Sequence, residues 1–169
     1  MTTDIPKDYR PVLRGVKEQT SGVGYESSGQ AEAACDGYRI HWEHDAVRES
    51  WRKAIDEPES EPVELKVDKP LRDWLKCTCK LNKQAPVRFT GDALRHESTD
   101  CTAMRYVSLS LPESWRSAYG IRAEYLRDAI DYALRGKCGT VTVATQGCNL
   151  TIHNCTRHAL IAPIKLPGE

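Results

Sequence analysis

The chain has 169 residues, and its 24 basic and 24 acidic side chains give a formal net charge of zero. This length suits one domain or two small ones and can bury a core. The balance excludes a uniformly basic nucleic-acid binder but allows charges that are sorted onto separate faces. Because the sequence lacks both a signal-peptide pattern and a run of about 18 apolar residues, we expect a cytoplasmic protein with no membrane partner.

The N-terminal part alternates between extended and helical patterns. Residues 10–16 favour a strand, and residues 31–42 favour extended chain after a turn-rich stretch. Residues 46–56 have helical periodicity and run into an acidic, proline-broken linker that ends at residue 62.

The remainder of the chain repeats one order of elements. Val63–Val67 alternates as a strand does, and Asp68 is placed to cap a helix with Pro70 in its first turn and its end near Leu81. A second helix is predicted over residues 122–134. Three strands follow each helix, at 86–90, 93–97 and 102–111 and then at 140–145, 150–153 and 158–166.

From residue 63 the order is strand, helix, three strands, helix, three strands, so two units, each of one helix with a small antiparallel sheet, form an internal repeat of architecture. Neither helix can bury its apolar face alone. We therefore predict an α+β fold in which both helices pack on one face of a shared curved sheet and keep their outer faces free.

Those outer faces carry many cationic side chains. They form either an ordinary solvated helix surface or a surface that binds DNA phosphates without recognising the base sequence. On the first helix the cations form a single stripe with helical spacing. The candidate DNA-binding residues are Lys69, Arg72, Lys76 and Lys80 on the first helix, Arg48, Arg52 and Lys53 in the 46–56 segment, and Arg122, Arg127 and Arg135 on the second helix.

Seven cysteines are present in a chain without a secretory signal, and this odd number argues against a disulfide framework. Cys77 and Cys79 are close in sequence but lack the second close pair that zinc ribbons use. The sequence therefore predicts that the cysteines are buried free thiols, and the alternative is that some of them bind zinc. No cofactor is predicted. The seven are Cys35, Cys77, Cys79, Cys101, Cys138, Cys148 and Cys155.

The best candidate residues for an enzyme active site are histidines. His41 and His44 lie beside Glu43 and Asp45, but no third ligand follows at close spacing. The sequence also contains no Gly-rich phosphate loop, G-x-S-x-G motif or paired Cys/His signature. We therefore predict a protein that is not an enzyme.

Two pairs of segments resemble a known family. Residues 10–16 (RPVLRGV) and 34–40 (ACDGYRI) are similar to the "RPxLxGV … ATDGHRL" signature of the bacterial DNA polymerase III β subunit, the sliding clamp. Residues 119–130 resemble the segment that opens the last half-repeat of that family. Residues 160–166 (LIAPIKL) resemble its terminal "VIMPMRL" strand.

The resemblance covers roughly residues 8–44 and 119–167, whereas residues 63–112 fit by the order of their elements. It implies the sliding-clamp fold. Residues 1–62 would be an N-terminal half-repeat with a helical, acidic insertion at 46–62, and residues 63–169 would hold two half-repeats.

In that family the two signatures meet in a hydrophobic cleft where partner proteins dock short peptides, so the resemblance implies a peptide-binding cleft here. Ala162 and Ile164 replace two adaptable Met residues of the family pattern, which affects the breadth of partners. By position, the cleft residues are Cys35, Gly37, Tyr38, Arg39, Ile40, Leu160, Ile161, Ala162, Pro163, Ile164 and Lys165.

Two functions follow as expectations. The first is a processivity clamp, a homo-oligomeric ring that encircles duplex DNA and tethers a DNA polymerase or another clamp-motif protein. The second is a monomeric clamp-like adapter, or a subunit of a larger complex, that encircles nothing. A clamp chain of this family has three domains and closes a ring as a dimer, whereas this sequence holds little more than one, so a ring would need more subunits.

Overall fold

The computed structural model describes residues 4–17, 23–28, 31–43, 55, 59–81, 85–96, 105–109, 111–112, 115 and 120–164. The helices are α1 (Arg10–Leu13), α2 (Lys69–Leu81) and α3 (Ala123–Leu134), and a 3-10 turn at Lys7–Tyr9 precedes α1. The strands are β1 (Gly24–Ser28), β2 (Ala31–Cys35), β3 (Arg39–Glu43), β4 (Val63–Val67), β5 (Pro86–Phe89), β6 (Ala93–His96), β7 (Arg105–Ser108), β8 (Ile121–Arg122), β9 (Gly139–Gln146), β10 (Asn149–Asn154) and β11 (Arg157–Ile161).

The strands form two antiparallel sheets. One sheet has seven strands in the order β1-β2-β3-β11-β10-β9-β4, and the other has four in the order β7-β6-β5-β8. The α+β class and the repeated order are confirmed, but the single shared sheet is wrong. Each unit gives its first strand to the other unit's sheet, since β4 pairs with β9 and β8 pairs with β5. Periodicity predicts strands but does not predict their pairing partners.

The two helices and the two sheets share one core. Leu71 and Leu75 of α2, Leu126 of α3, Phe89 of β5 and Ile152 of β10 are all buried in it. Burial of this kind provides most of the free energy of folding. The core therefore fixes how the helices lie relative to the sheets.

Local capping sets the helix ends as predicted. The Asp68 carboxylate accepts a hydrogen bond from the Leu71 backbone N–H at 3.1 Å, which supplies the N-cap of α2. At the end of α3, Arg135 adopts a left-handed conformation with φ 54°, and its backbone N–H donates to the Asp131 carbonyl. Gly136 follows at φ 77°.

The predicted strand at residues 10–16 is wrong, because this segment begins with a helix. Pro11 lies in the first turn of α1, where the missing N–H of proline does no harm. Tyr9 and Val12 are three residues apart and are both buried against Tyr132 of α3. That spacing brings both side chains to one helical face, and four helical residues are too few to establish a periodicity.

Strands β1 to β3 extend the large sheet, because β3 pairs with β11 with Ile40 opposite Leu160. Together with α1 they cover a second face of α3, where Asp128 and Tyr132 are buried. Every residue of α3 is buried or half-buried. The predicted free outer face is therefore wrong for α3, and the predicted division of the chain at residues 62 and 63 stays a prediction.

The predicted helix at 46–56 lies outside the described residues except for Ile55, which is helical. Ile55 packs against a cluster on the large sheet that includes Trp42 and Leu160. Within the described part of the chain, no helix has the length and apolar character needed to cross a membrane.

The prediction of buried thiols is wrong for most of the cysteines. Six cysteines are described and form no disulfide with one another, and only Cys35 and Cys79 among them are buried. The exposed ones are Cys77, Cys138, Cys148 and Cys155, and Cys101 lies outside the described residues. Cys77 lies on the exposed face of α2, and the other three lie in or beside turns. The spacing of cysteines along the sequence does not predict this exposure.

Candidate functional site

The two segments assigned to the cleft are adjacent. Arg39 lies opposite Ile161 in the register of β3 and β11. Beyond the end of the ladder, the Ala162 backbone N–H donates to the Tyr38 carbonyl at 2.9 Å. The chain then returns to the start of the last repeat, where the Ile164 N–H donates to the Gly120 carbonyl at 2.9 Å.

A tight turn presents Tyr38 to solvent. One oxygen of Asp36 accepts the backbone N–H groups of Tyr38 at 2.9 Å and of Arg39 at 3.0 Å. Gly37 has φ 94°, a conformation that a residue with a side chain rarely adopts. The Tyr38 side chain is 64% exposed as a result. We call residues 36–39 the Asp36 turn.

Only part of the predicted cleft offers side chains to a ligand. Gly37 and Tyr38 are exposed, and Ala162, Pro163 and Ile164 are half-buried. The side chains buried inside the molecule are Cys35, Arg39, Ile40, Leu160 and Ile161, and Lys165 lies outside the described residues. The accessible surface therefore consists of Tyr38, Ala162, Pro163 and Ile164, which we call the Tyr38 patch.

Arg39 is buried because it holds three elements together. Its side chain is 4% exposed, and its guanidinium binds Asp128 of α3 at 2.8 Å and Asp36 at 3.1 Å. The same group donates to the Pro11 carbonyl of α1 at 2.7 Å and lies 4.1 Å from the centre of the Tyr125 ring. Such multiple charge-assisted bonds are strong and directional. Arg39 thus fixes the Asp36 turn instead of offering its charge to a ligand.

Sequence reasoning missed Asp36 and Asp128 as members of this site. The Asp36-Gly37 pair is a turn signal, from which the role of Asp36 could have been inferred. Asp128 reads as one of several surface acids on a mixed helix, and its partner lies 89 residues away in the chain. Only the fold brings the two together.

His41 lies on the inner side of β3 and is fully buried. Its ring stacks on Tyr132 with 4.8 Å between ring centres. Burial, and then the charges of Arg39 and Arg157, lower the pKa of His41 well below its ordinary value. Among the described residues neither ring nitrogen has a hydrogen-bond partner. Two other members of the predicted His41–His44 group, His44 and Asp45, lie outside the described residues.

The cation stripe of α2 is divided by ion pairs. Lys69 binds Asp73 at 2.6 Å, and Arg72 binds Asp131 of α3 at 2.5 Å and also donates to the Lys137 carbonyl. Lys76 and Lys80 are exposed, and neither forms an ion pair with another described residue. Within the part of the chain that the structure describes, the stripe cations without an ion pair are therefore Lys76 and Lys80.

The cations predicted on the second helix are all engaged. Arg127 binds Asp128 at 3.0 Å, and Arg135 approaches Glu43 at 3.8 Å. Arg122 donates to the Tyr125 hydroxyl at 3.1 Å. The remaining candidates, Arg48, Arg52 and Lys53, lie outside the described residues.

A groove of about 330 Å³ opens between α2 and α3. Three cations line it, Arg72 and Lys76 from α2 and Arg127 from α3, together with Asp73 and Asp131. We call it the helix groove. Elsewhere in the described residues, no group of three His, Cys, Asp or Glu side chains is close enough to hold a metal ion.

Comparison with known proteins identifies the fold. No family model and no curated protein matches the chain. Among solved structures, the H. pylori β clamp in complex with diflunisal aligns with 95% of this chain and 63% of its own, at 11% identity and a TM-score of 0.67. The DNA polymerase sliding clamp from Pseudomonas aeruginosa aligns with 95% of this chain and 61% of its own, at 12% identity and a TM-score of 0.62.

The Helicobacter pylori β clamp bound to a DNA ligase peptide aligns with 80% of this chain and 41% of its own, at 14% identity and a TM-score of 0.53. This chain therefore spans between 41% and 63% of the clamp chains compared. At 11–14% identity the likeness concerns the fold. Together with the exchanged first strands and the paired helices, it shows that this chain has the fold of the bacterial DNA polymerase III β subunit, the sliding clamp.

Proposed function

We propose that this chain tethers a DNA-processing protein, such as a polymerase, to duplex DNA, and that it does so without catalysis. The Tyr38 patch binds a short peptide of the partner protein. The α2 side of the molecule contacts DNA phosphates. The observation that carries the proposal is the junction of the Asp36 turn with the end of β11, where the backbone of the exposed Tyr38 is hydrogen-bonded to Ala162, the first of three half-buried apolar residues.

The chemistry of the Tyr38 patch suits the apolar anchors of a peptide. Ala162, Pro163 and Ile164 supply apolar surface, and Tyr38 adds a ring with a polar tip, a residue type common at binding hot spots. The likeness to a β clamp whose structure contains a DNA ligase peptide supports the same class of ligand. Affinity is expected to be modest, on the order of 1 µM, because a small interface must offset the ordering of a flexible peptide.

The peptide test uses Ile164→Asp and Tyr38→Ala with a short peptide that carries Leu and Phe anchors. Ile164→Asp puts a charge into apolar surface and should abolish binding. Tyr38→Ala should weaken it about tenfold or more, as expected for a hot-spot aromatic. Fluorescence anisotropy measures both affinities, and thermal unfolding shows whether each variant is folded.

The matched control is Tyr106→Ala, which removes another exposed tyrosine, 60% exposed, from the edge strand of the other sheet. It should bind the peptide as the wild type does. A folded Ile164→Asp variant with wild-type affinity would refute the Tyr38 patch as the binding site, and so would a wild type that binds no such peptide.

The proposed DNA contact predicts that loss of cations from α2 lowers DNA affinity by the same factor for every base sequence. Among the described residues Lys76 and Lys80 are the stripe cations without an ion pair, so replacing both with Ala should weaken binding equally for unrelated duplexes. The slope of log affinity against log salt should become shallower by about 2, since each lost phosphate contact removes about one released counterion. The control is Lys7→Ala with Lys66→Ala, two exposed lysines outside α2. Equal salt slopes for the two double variants would contradict this assignment.

A clamp-like adapter that does not encircle DNA is the second candidate. It is favoured by the ion pairs of Lys69, Arg72 and Arg127, which neutralise part of the positive surface. A ring requires a defined oligomer. Light scattering of the full chain distinguishes the two, because a monomer that binds the peptide supports the adapter and a discrete closed oligomer supports the clamp.

A further inference from the structure

One buried carboxylate lies between the helix groove and the Asp36 turn. Asp128 is 5% exposed in its side chain, and its two oxygens bind different arginines. One oxygen accepts from Arg127 at 3.0 Å, and the other accepts from Arg39 at 2.8 Å. Arg127 lines the helix groove, and Arg39 holds the Asp36 turn.

The connection continues to the backbone that carries the Tyr38 patch. Arg39 donates to one oxygen of Asp36 at 3.1 Å, and the other oxygen of Asp36 accepts from the Tyr38 N–H at 2.9 Å. The Tyr38 carbonyl in turn accepts from the Ala162 N–H at 2.9 Å. Charge-assisted hydrogen bonds therefore link Arg127 to the Tyr38 N–H, and a backbone hydrogen bond joins Tyr38 to Ala162 on the other side of the patch.

The helix groove has the features of an anion site. Its lining has three cations from two helices, Arg72, Lys76 and Arg127, against two acids, Asp73 and Asp131. The Nε atom of Arg72 is buried without a hydrogen-bond partner among the described residues. The side chain of Arg127 is 29% exposed, so an entering anion can reach its guanidinium. A phosphate there competes with Asp128 for Arg127.

We propose that a backbone phosphate of duplex DNA in the helix groove strengthens peptide binding at the Tyr38 patch, with Asp128 and Arg39 as positioning residues. The proposal rests on the proposed function and adds regulation between its two sites. When phosphate draws Arg127 away, Asp128 keeps one arginine partner instead of two, and its bond to Arg39 strengthens. The Asp36 turn then stays in its binding geometry for more of the time.

The coupling must be reciprocal. If DNA raises peptide affinity by a given factor, the peptide raises DNA affinity by the same factor. We expect a factor of about fivefold or more, the lower end for coupled sites. Removing the charge of Arg127 reproduces the effect of phosphate on Asp128, so Arg127→Gln should bind the peptide tightly without DNA and gain nothing further from it.

The experiment measures peptide affinity by fluorescence anisotropy at one fixed salt concentration, with and without a short duplex DNA of arbitrary sequence. The wild type, Arg127→Gln and Arg135→Gln are compared. Arg135→Gln is the matched control, since it removes the same charge near the end of α3 from a residue that pairs with Glu43. Hydrogen exchange of the Tyr38 and Arg39 amides gives a second readout that needs no peptide.

The proposal expects DNA-dependent affinity in the wild type and in Arg135→Gln, DNA-independent affinity in Arg127→Gln, and slower exchange of the two amides in Arg127→Gln. If both ligands bind the wild type but neither affects the other, the coupling is refuted while the proposed function stands. Unchanged amide exchange in Arg127→Gln also refutes the coupling. A wild type that binds no peptide refutes the proposed function and this inference with it.

Discussion

Replacing Arg39 with Met is expected to lower the free energy of unfolding by about 3–5 kcal/mol, the range for breaking a buried ion pair by removing one partner. The side chains of Arg39 and Asp128 are 4% and 5% exposed, so water cannot replace the lost partner. Asp128 keeps Arg127, but the Pro11 carbonyl and one oxygen of Asp36 lose a donor. The loss of stability should be measured as a lower midpoint of urea unfolding, with little change in the dependence of the unfolding free energy on urea concentration.

The control is Arg14→Met, which breaks the ion pair between α1 and Glu124 of α3. Arg14 is 58% exposed in that pair, so the expected loss is only about 0–1 kcal/mol. Replacing Arg39 with Met and Asp128 with Leu together should recover part of the stability lost in Arg39→Met, because the buried carboxylate of Asp128 is then removed together with its partner. A loss for Arg39→Met no larger than that for Arg14→Met would contradict the assigned role.

Arg39 shows that the resemblance to the clamp family predicts the position of the backbone but not the direction of a side chain. The segments at 35–40 and 160–164 were predicted to be adjacent, and backbone register makes them so. Backbone position follows from the order of strands, which the sequence expresses locally. The direction and burial of a side chain depend on neighbours that are distant in the chain, and the pairing of Arg39 with Asp128 turns a predicted ligand contact into a structural one.

The same distinction explains the errors in the fold. Strand β4 and helix α2 were predicted with nearly correct bounds, because alternation, an N-cap and a first-turn proline are local signals. The exchange of β4 and β8 between the two sheets has no local signal. The second covered face of α3 has none either, since Asp128 and Tyr132 are polar residues that only the docking of α1 and β3 buries.

The stability of the protein should fall steeply below pH 6.5, and His41 should be a main cause. Its pKa in the folded protein is lowered well below the ordinary value by burial and then by the charges of Arg39 and Arg157. In the unfolded chain an ordinary histidine takes up a proton near pH 6.5. Between those two pKa values the unfolded state binds more protons than the folded state, so stability rises with pH and is lost as the pH falls.

For each pH unit in which only the unfolded chain carries this proton, His41 should remove about 1.4 kcal/mol of stability. His41→Phe keeps a ring on Tyr132 and removes the titrating group. Its free energy of unfolding, measured in urea from pH 7.5 to pH 5, should fall less steeply than that of the wild type by this amount. NMR of the wild-type ring should show neutral imidazole at pH 5.5 in the folded state. Parallel pH profiles for the two proteins, or a protonated His41 in the folded protein at that pH, would show that the buried site of His41 between β3 and α3 tolerates the charge.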